Sequence, residues 1–260
     1  MSGTGDQLEG RMQRLFELKH LPRDQGGWAP LLQRQFHHFT PDDYYEAVVE
    51  GLVDADTEWL DVGGGWAVFP GNPKLSRMLA DRCKRLVAVD PSPNVHDNQY
   101  AHQRYQGLLE EFNDNQQFTL ATARMVVEHV ASPEPFTQKL GQLIRPGGKV
   151  VVYTVNRWAP VTILSGCTPM WFHHFSKKLL WGGDKKDTFP VTYLMNTRSR
   201  LNKLFAAAGF REVKFLRLDD CRTLAGWKTT LVLELTIWKA LRFLGIGYPE
   251  SCLLGVYERT

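Results

Sequence analysis

The sequence predicts an α/β fold in which a mostly parallel sheet has helices on both faces. Short, almost entirely apolar segments alternate with longer stretches in which apolar residues recur every three or four positions. Strands without polar alternation are buried on both faces, which is typical of parallel sheets covered by helices. Acidic or glycine residues end the first two apolar segments, as at Asp61 and Asp90. A chain of 260 residues is long enough to form one such domain around a large core.

Residues 1–56 are predicted to form a helical cover that precedes the sheet. Residues 1–26 are polar, and we expect them to be partly mobile. A short helix is predicted over 28–38. Another begins after Thr40, whose hydroxyl is suited to cap it, and the proline and two aspartates that follow favour a first helical turn.

The sheet elements then follow in a regular order. Strands are predicted at 59–62, 85–90, near 106–112, and at 118–123, 150–155, 212–218 and 252–259. Helices are predicted at 74–84, 133–144, 197–208 and 227–246.

Residues 156–196 interrupt this rhythm with a long, irregular and aromatic stretch. Because it follows the fifth strand, it is placed to cover a site at the carboxyl end of the sheet. Long ordered insertions are usually functional, so we interpret it as a lid over the active site. The alternative is an inserted subdomain that only packs against the rest.

Composition excludes some classes of function. Hydrophobic residues make up 43% and charged residues 23% of the chain, as in ordinary globular proteins. A net charge of +3 without a dense basic run argues against a nucleic-acid partner. The four cysteines are scattered, without metal-ligand spacing, so we expect reduced thiols and no metal site. The sequence has no export signal and no apolar run of about 18 residues, which predicts a cytoplasmic protein.

Residues 59–69, WLDVGGGWAVF, are the strongest local signal. An apolar lead-in ends at Asp61, and the glycine cluster 63–65 follows. Glycine permits positive φ and lets backbone N–H groups approach a ligand closely. A carboxylate before the loop repels phosphate and attracts an ammonium, so we interpret the loop as a site for a cationic nucleoside without phosphates, S-adenosylmethionine. The loop, Asp90 and Arg124 all fall at carboxyl ends of predicted strands, where open α/β sheets bind ligands.

The order of these motifs resembles the class I S-adenosylmethionine-dependent methyltransferases, of the small-molecule type with a "type 11" signature. The matching stretches are LDVGGG, VAVDPS, FTLATARMVVEHV, RPGGKVVVYT and AAAGFREVKF. Together they cover roughly residues 40–155 and 197–218. The resemblance implies a seven-stranded Rossmann-like sheet in the order 3-2-1-4-5-7-6 with the last strand antiparallel.

The resemblance also implies a set of cofactor residues. Asp61 would lie near the methionine amino group, and Asp90 would bind the ribose hydroxyls. Ala123 and Arg124 would line the methionine end near the sulfonium. The complete set is Tyr44, Asp61, Gly63, Gly64, Gly65, Trp66, Asp90, Pro91, Ala123 and Arg124.

Three departures from the family pattern concern the cofactor site. Ala67 replaces the last glycine of the usual DxGxGxG, and Gly64 replaces a common cysteine. The loop over 66–73 is longer than usual, so it is where we expect this protein to be unusual. The family's acidic residue before the adenine pocket falls near Leu108, which leaves Glu110 or backbone groups to hold adenine.

Catalytic and acceptor-binding residues are less well defined. His129, which follows the fourth strand, is the best candidate for a general base, although a structural role in pinning its loop is favoured. Arg124 and Arg157 could clamp an anionic group of the acceptor, or Arg124 could pair with Glu128 or the cofactor carboxylate. Tyr45, Arg157, His173 and Tyr193 are predicted to shape the acceptor pocket. The two adjacent histidine pairs are not interpreted as metal ligands, because neighbouring side chains point apart.

Three functions remain open at this stage. The first is methyl transfer from S-adenosylmethionine to a small-molecule acceptor by in-line displacement, in a monomer or homodimer. The second is transfer to a lipid or quinone at a membrane surface through the largely apolar helix at 227–246. Against the second, the face that contains Trp227, Leu231 and Trp238 also includes Glu234. The third is a non-catalytic module that binds the cofactor.

Overall fold

A computed structural model describes residues 3–21, 27–160, 162 and 190–260. Seven strands form one sheet in that part of the chain. The strands are β1 Glu58–Val62, β2 Arg85–Asp90, β3 Gln103–Gln106, β4 Phe118–Arg124, β5 Ile144–Val155, β6 Phe210–Asp219 and β7 Glu250–Arg259. The helices are α1 Gly3–His20, α2 Trp28–Gln35, α3 Pro41–Glu50, α4 Pro73–Arg82, α5 Pro133–Leu143, α6 Arg198–Ala207 and α7 Lys228–Phe243.

The sheet order is β3-β2-β1-β4-β5-β7-β6, and β7 runs antiparallel to both of its neighbours. This confirms the predicted fold class and strand order. The β1–β4 register pairs Asp61 with Thr122, and the β1–β2 register pairs Val62 with Val89. The carboxyl ends of these three parallel strands therefore lie side by side.

The sheet separates two hydrophobic layers. On β1, Trp59 packs into the layer that contains buried residues of α1, α3 and α4. Leu60 and Val62 face the other layer, with buried residues of α5 and α6. All five residues of β1 are buried, as expected of a strand in a parallel sheet that is covered on both faces.

Helix α1, which the sequence did not predict, occupies most of residues 1–26. Met12, Leu15 and Phe16 are buried at helical spacing, and α1 packs along α3. This apolar stripe is short and surrounded by polar residues, so its helical character depends on the partner helix. Lys19, at the end of α1, donates to Glu46 of α3 over 2.9 Å.

Several element boundaries also differ from the prediction. The third strand, at Gln103–Gln106, precedes the predicted segment. The fifth strand begins at Ile144, because Ile144 pairs with Phe118 before the tight turn that was expected to precede the strand. Gly147 in that turn has a φ of 77°, a conformation that favours glycine.

Most of the predicted lid at 156–196 lies outside the described residues. Its start is held by Asn156, which donates to Glu250 O over 2.9 Å. Its end is held by Asn196, which donates to Thr154 Oγ1 over 2.7 Å. Both ends are therefore anchored beside the carboxyl end of β5, and the lid itself stays a prediction. No helix in the described ranges is long and apolar enough to cross a membrane.

Thr40 and Asp43 form a capping box at the start of α3. The Asp43 N–H donates to Thr40 Oγ1, and the Thr40 N–H donates to Asp43 Oδ2 over 2.8 Å. We expect Thr40→Ala to lower the free energy of unfolding by about 1 kcal/mol, because the Asp43 N–H loses its acceptor and the capping box is disrupted. Urea denaturation measures this, with Thr229→Ala at an exposed position of α7 as the matched control. Equal losses in both variants would contradict the prediction.

Candidate active site

A cavity of about 240 Å³ lies where the carboxyl ends of β1, β2 and β4 meet, and we call it the glycine-loop cavity. The β1–α4 connection forms one wall, and the residue at the end of β4 forms another. Its polar and aromatic lining comes from Asp61, Trp66, Asp90, Ser92, Asn94 and Arg124, with backbone from Gly63 and Gly65.

The glycine loop turns tightly beneath this cavity. Gly63 and Gly65 have φ values of 73° and 33°, in the region that other residues rarely adopt. Gly64 is required for a different reason, because a Cβ there would lie 2.8 Å from the Cβ of Ala88. The Gly63 N–H donates to Val89 O over 2.8 Å, which anchors the turn on β2.

Asp61 presents one unsatisfied carboxylate oxygen at this cavity. Its Oδ1 accepts a hydrogen bond from Thr122 Oγ1 over 2.7 Å. Its Oδ2 is buried and has no hydrogen-bond partner among the described residues. Burial raises the pKa of Asp61 to about 7 against the effect of Thr122, and the charge of Asp90 adds to the rise. A buried polar atom without a partner usually marks a place for a ligand or water.

Asp90 is held rigidly at the end of β2. Its Oδ1 accepts from the Ser92 N–H over 2.8 Å, and its Oδ2 accepts from the Gly65 N–H over 3.0 Å. Each oxygen retains a second lone pair for a ligand hydroxyl. Asp90 therefore joins the glycine loop to the second strand and lines the cavity with acceptor groups.

A second cavity of about 300 Å³ lies on the other side of Arg124, and we call it the helix-side cavity. Arg124 and Pro70 line both cavities. Residues from α1, α2, α3 and the loop before α7 contribute the remaining walls. The charged and polar lining includes Lys19, His38, Asp42, Tyr45, Glu46 and Arg222.

Arg124 is oriented by Asp42, at an N–O distance of 2.8 Å. Asp42 also pairs with Arg222 over 3.0 Å. Although burial opposes ionisation, Arg124 and Arg222 lower the pKa of Asp42, so this carboxylate is charged. The partner of Arg124 is therefore on α3, and neither Glu128 nor another residue of its own loop provides it.

The side chain of Tyr45 lines the helix-side cavity. Tyr44 is not among the described residues that line either cavity. The Tyr45 ring stacks on Tyr153 with centroids 5.2 Å apart, and its buried hydroxyl has no hydrogen-bond partner within the described ranges. Burial, followed by the charge of Asp61, raises the pKa of Tyr45. Tyr44 instead packs edge-on against Phe39. Of the two tyrosines, the one placed beside Asp61 is thus Tyr45.

The longer loop over 66–73 is packed into the core. Val68 and Phe69 are buried, and Asn72 donates to Glu46 Oε2 over 2.8 Å while its Oδ1 caps α4. The loop reaches both cavities, with Trp66 at the glycine-loop cavity and Gly71 at the helix-side cavity. Trp66 is 63% exposed.

Other predicted residues lie away from the described cavity walls. His129 Nδ1 lies 3.1 Å from Pro190 O, and because a carbonyl only accepts, that nitrogen donates. Arg157 contacts Tyr193 O over 3.5 Å. Pro91 is exposed beside Ser92, and Ala123 is buried in the core, so neither side chain lines a cavity. His173 lies outside the described residues.

Several lining residues were not identified from the sequence. Ser92 could have been found from its position two residues after Asp90, a spacing that favours a local turn. Asp42 was assigned only to the start of its helix. Arg222, from the loop that follows β6, has no sequence signal that links it to the glycine loop, because the two are far apart in the chain.

Comparison with known proteins covers most of this architecture. Residues 36–214 match the family described as a methyltransferase domain. A ubiquinone biosynthesis O-methyltransferase from Azorhizobium caulinodans is 35% identical over 107 residues, which are 38% of this chain and 40% of that protein. One from Methylocella silvestris is 28% identical over 58% of this chain and 51% of that protein. The chain thus spans less than two thirds of the length of either relative.

Solved structures share the fold. A candidate S-adenosylmethionine-dependent methyltransferase from Listeria monocytogenes matches with a TM-score of 0.51 at 11% identity, over 85% of this chain and 98% of that one. A chain in the complex of the Haloferax volcanii Trm112 methyltransferase activator with its methyltransferase matches with a TM-score of 0.52 at 15% identity, over 94% of this chain and 96% of that one. At such identities the likeness concerns the fold alone.

The raised pKa of Asp61 makes stability depend on pH. Its carboxyl is ordinarily half-ionised at pH 3.8 but at about pH 7 in the folded protein, so the folded state binds the proton more tightly. The contribution of this carboxyl group to the free energy of unfolding is therefore greatest below pH 3.8, and it is lost as the pH rises through about 7. We expect Asp61→Asn to raise the melting temperature at pH 8 and to change it little at pH 4, by differential scanning calorimetry. Asp56→Asn, at an exposed position, is the control, and a lower melting temperature for Asp61→Asn at pH 8 would contradict the expectation.

Proposed function

We propose, since this chain belongs to the class I S-adenosylmethionine-dependent methyltransferases, that it transfers a methyl group from S-adenosylmethionine to a small-molecule acceptor. The cofactor would occupy the glycine-loop cavity and the acceptor the helix-side cavity. The observation that carries the proposal is the unpartnered, buried Oδ2 of Asp61 beside the glycine backbone that lines the cavity.

The glycine-loop cavity suits the ammonium and the ribose of this cofactor. Asp61 offers a carboxylate to the methionine ammonium, and the lone pairs left on Asp90 can accept from the ribose hydroxyls. The glycine backbone allows close approach without a side chain in the way. Two carboxylates and an absence of basic residues from the glycine segment disfavour a pyrophosphate there.

The helix-side cavity suits an acceptor because Arg124 and Pro70 border both spaces. An acceptor atom must reach about 3 Å from the methyl group with its lone pair in line, so two adjoining cavities supply the required proximity. Tyr45 places a buried hydroxyl near the junction. The lining on the α1–α3 side would then select the acceptor.

The charges of the helix-side cavity favour an acceptor with an oxygen nucleophile. Its carboxylates already have cationic partners: Asp42 pairs with Arg124 and Arg222, and Glu46 pairs with Lys19. The donors in the described lining include the Tyr45 hydroxyl, the N–H groups of Arg124 that do not face Asp42, and the ring of His38. Such donors stabilise a hydroxyl or phenolate oxygen, whereas a protonated amine would find no free carboxylate.

Bound S-adenosylmethionine supplies the methyl group as an electrophilic sulfonium. Tyr45 acts as a hydrogen-bond donor and not as a base, because its raised pKa keeps it protonated. Arg124 remains charged and lowers the cost of negative charge on the acceptor oxygen. An acidic acceptor hydroxyl that ionises in water needs no general base. His129, which lines neither described cavity, therefore has no step in this mechanism.

A quinol or related lipid phenol is a second candidate acceptor. The supporting observation is that the curated relatives are named ubiquinone biosynthesis O-methyltransferases. A phenolic hydroxyl also fits the donor-rich lining described above.

Mass spectrometry of products from a panel of catechols, monophenols and matched anilines, each with methyl-labelled cofactor, would discriminate the classes of acceptor. Labelling of anilines in preference to phenols would contradict the oxygen assignment, and cofactor binding with no product from any acceptor would favour a non-catalytic module.

Cofactor binding should depend on Asp61, Asp90 and pH. We expect calorimetry to detect S-adenosylmethionine binding at pH 8 and at least tenfold weaker binding by Asp61→Asn, because about 1.4 kcal/mol or more is lost with a charge-assisted hydrogen bond. Asp90→Asn should weaken binding by a similar factor. Wild-type affinity should fall from pH 8 to pH 6 as Asp61, with a pKa of about 7, takes up a proton. Asp56→Asn is the control, and wild-type protein that does not bind the cofactor would overturn the proposed function.

Turnover should depend on Tyr45 and not on Tyr44. We expect Tyr45→Phe to reduce kcat/KM for the acceptor by about tenfold, the effect of one hydrogen bond, with little change in cofactor affinity. Tyr44→Phe is the matched control, since Tyr44 lines neither described cavity. Equal kinetics for the two variants would remove Tyr45 from the acceptor site.

A further inference from the structure

The helix α7 has apolar residues on two sides, and only one of them is packed in the core. Leu231, Leu235 and Trp238 are buried in a cluster with Leu32 of α2. On the other side Leu233 is 56% and Ile237 46% exposed. The exposed apolar surface continues past the end of the helix. We call these exposed apolar residues the outer α7 surface, and they are Leu233, Ile237, Phe243, Leu244 and Ile246.

The acidic residue of this segment does not lie on the outer α7 surface. Glu234 is 2% exposed, and its Oε2 accepts from the Leu224 N–H over 2.8 Å. Its Oε1 accepts from the Tyr248 hydroxyl over 3.0 Å. Glu234 therefore belongs to the packed side, and the argument from the sequence that an acidic residue interrupts the apolar face does not apply to the outer one.

The exposed charges of residues 224–246, all of which the structure describes, are basic. They are those of Lys228, Lys239 and Arg242. The Arg242 guanidinium lies 4.9 Å from the Trp238 ring centroid, and the Lys239 ammonium lies 5.9 Å from that of Phe36. Both rings belong to the cluster on the packed side of α7, so Lys239 and Arg242 lie at the edge of that side and not among the exposed apolar residues. A helix that exposes apolar residues, and whose exposed charges are all basic, is complementary to an anionic lipid surface.

We infer that the outer α7 surface docks on an anionic lipid bilayer and holds the protein at the membrane interface. The helix lies in the plane of the interface, with Leu233 and Ile237 in the headgroup–acyl boundary and the lysines at the phosphates. Phe243, which is 90% exposed, and Leu244 extend this contact at the C-terminal end of the helix. The contact is peripheral, because α7 has 16 residues and is too short to cross a bilayer.

Helix α7 adjoins the helix-side cavity through its packed side and through the loop that precedes it. The loop before α7 contributes Arg222 and Ala225 to that cavity, and α2, which packs against α7, contributes Gln33. Docking would therefore bring the proposed acceptor site near the lipid. The inference goes beyond the proposed function and does not depend on it, since docking is measured without turnover.

Co-sedimentation with vesicles tests the docking. We expect the full chain to sediment with phosphatidylcholine vesicles that contain 30% phosphatidylglycerol and to bind pure phosphatidylcholine about tenfold less tightly, because the cations contribute most at an anionic surface. Binding to the mixed vesicles should weaken as salt increases from 0.05 to 0.5 M. Equal binding to both vesicle types, or none to either, would overturn the inference.

Variants separate docking from folding and from catalysis. Leu233→Ser with Ile237→Ser should reduce vesicle binding at least tenfold, and Lys228→Gln with Lys239→Gln should reduce it only for anionic vesicles. Leu108→Ser, at a 51% exposed site away from α7, is the matched control and should bind as wild type. An unchanged melting temperature and an unchanged S-adenosylmethionine affinity in the two double variants would show that their fold and cofactor site persist. Full vesicle binding by the Leu233/Ile237 variant would overturn the inference. It would also be overturned if the wild type bound no vesicles and sedimentation velocity showed a wild-type dimer that this variant had lost, because the surface would then be a contact between two copies.

Discussion

Thr122 holds the carboxylate on which the candidate site depends. Its hydroxyl donates to Asp61 Oδ1 over 2.7 Å and accepts from the Trp59 indole N–H over 2.8 Å. All three residues are buried, so these hydrogen bonds are shielded from water, and the second Asp61 oxygen has no partner among the described residues. Burying this charge is costly, and the register that pairs β1 with β4 makes it possible by placing the hydroxyl opposite the carboxylate.

The N-terminal helices are part of the site because they position the residue shared by the two cavities. Arg124 follows from β4, but Asp42 of α3 sets the direction of its guanidinium. Glu46 of the same helix accepts from both Lys19 of α1 and Asn72 of the 66–73 loop. One buried helix face thus links the first helix, the glycine-loop connection and the end of the fourth strand. Changes in α3 are therefore expected to affect cofactor and acceptor together.

Much of the fold and part of the candidate site could be predicted from the sequence. Buried parallel strands have a strong pattern, so β1, β2 and β4 lie close to their predicted positions, and Asp61 and Asp90 line the cavity as expected. The first helix could not be predicted, because its short apolar stripe is stabilised by packing on α3 and α4. Arg222 could not be predicted either, since a loop residue that reaches a site across the chain has no local signature. Tyr44 and Tyr45 were not separable, because neighbouring helical residues differ by a rotation that only packing fixes.

The sequence by itself determined the individual strands and helices, the glycine turn and the acidic residues at the strand ends. These features depend on local periodicity and backbone freedom, which act within a few residues. Tertiary structure decided which oxygen of Asp61 stays unpartnered, that Arg124 pairs with Asp42, and that Glu234 lies inward. These outcomes depend on which surfaces meet, and the free energy of burying a charge depends on the partners brought from distant segments. For the same reason the largely apolar helix α7 has one side that is packed in the core and another that is exposed.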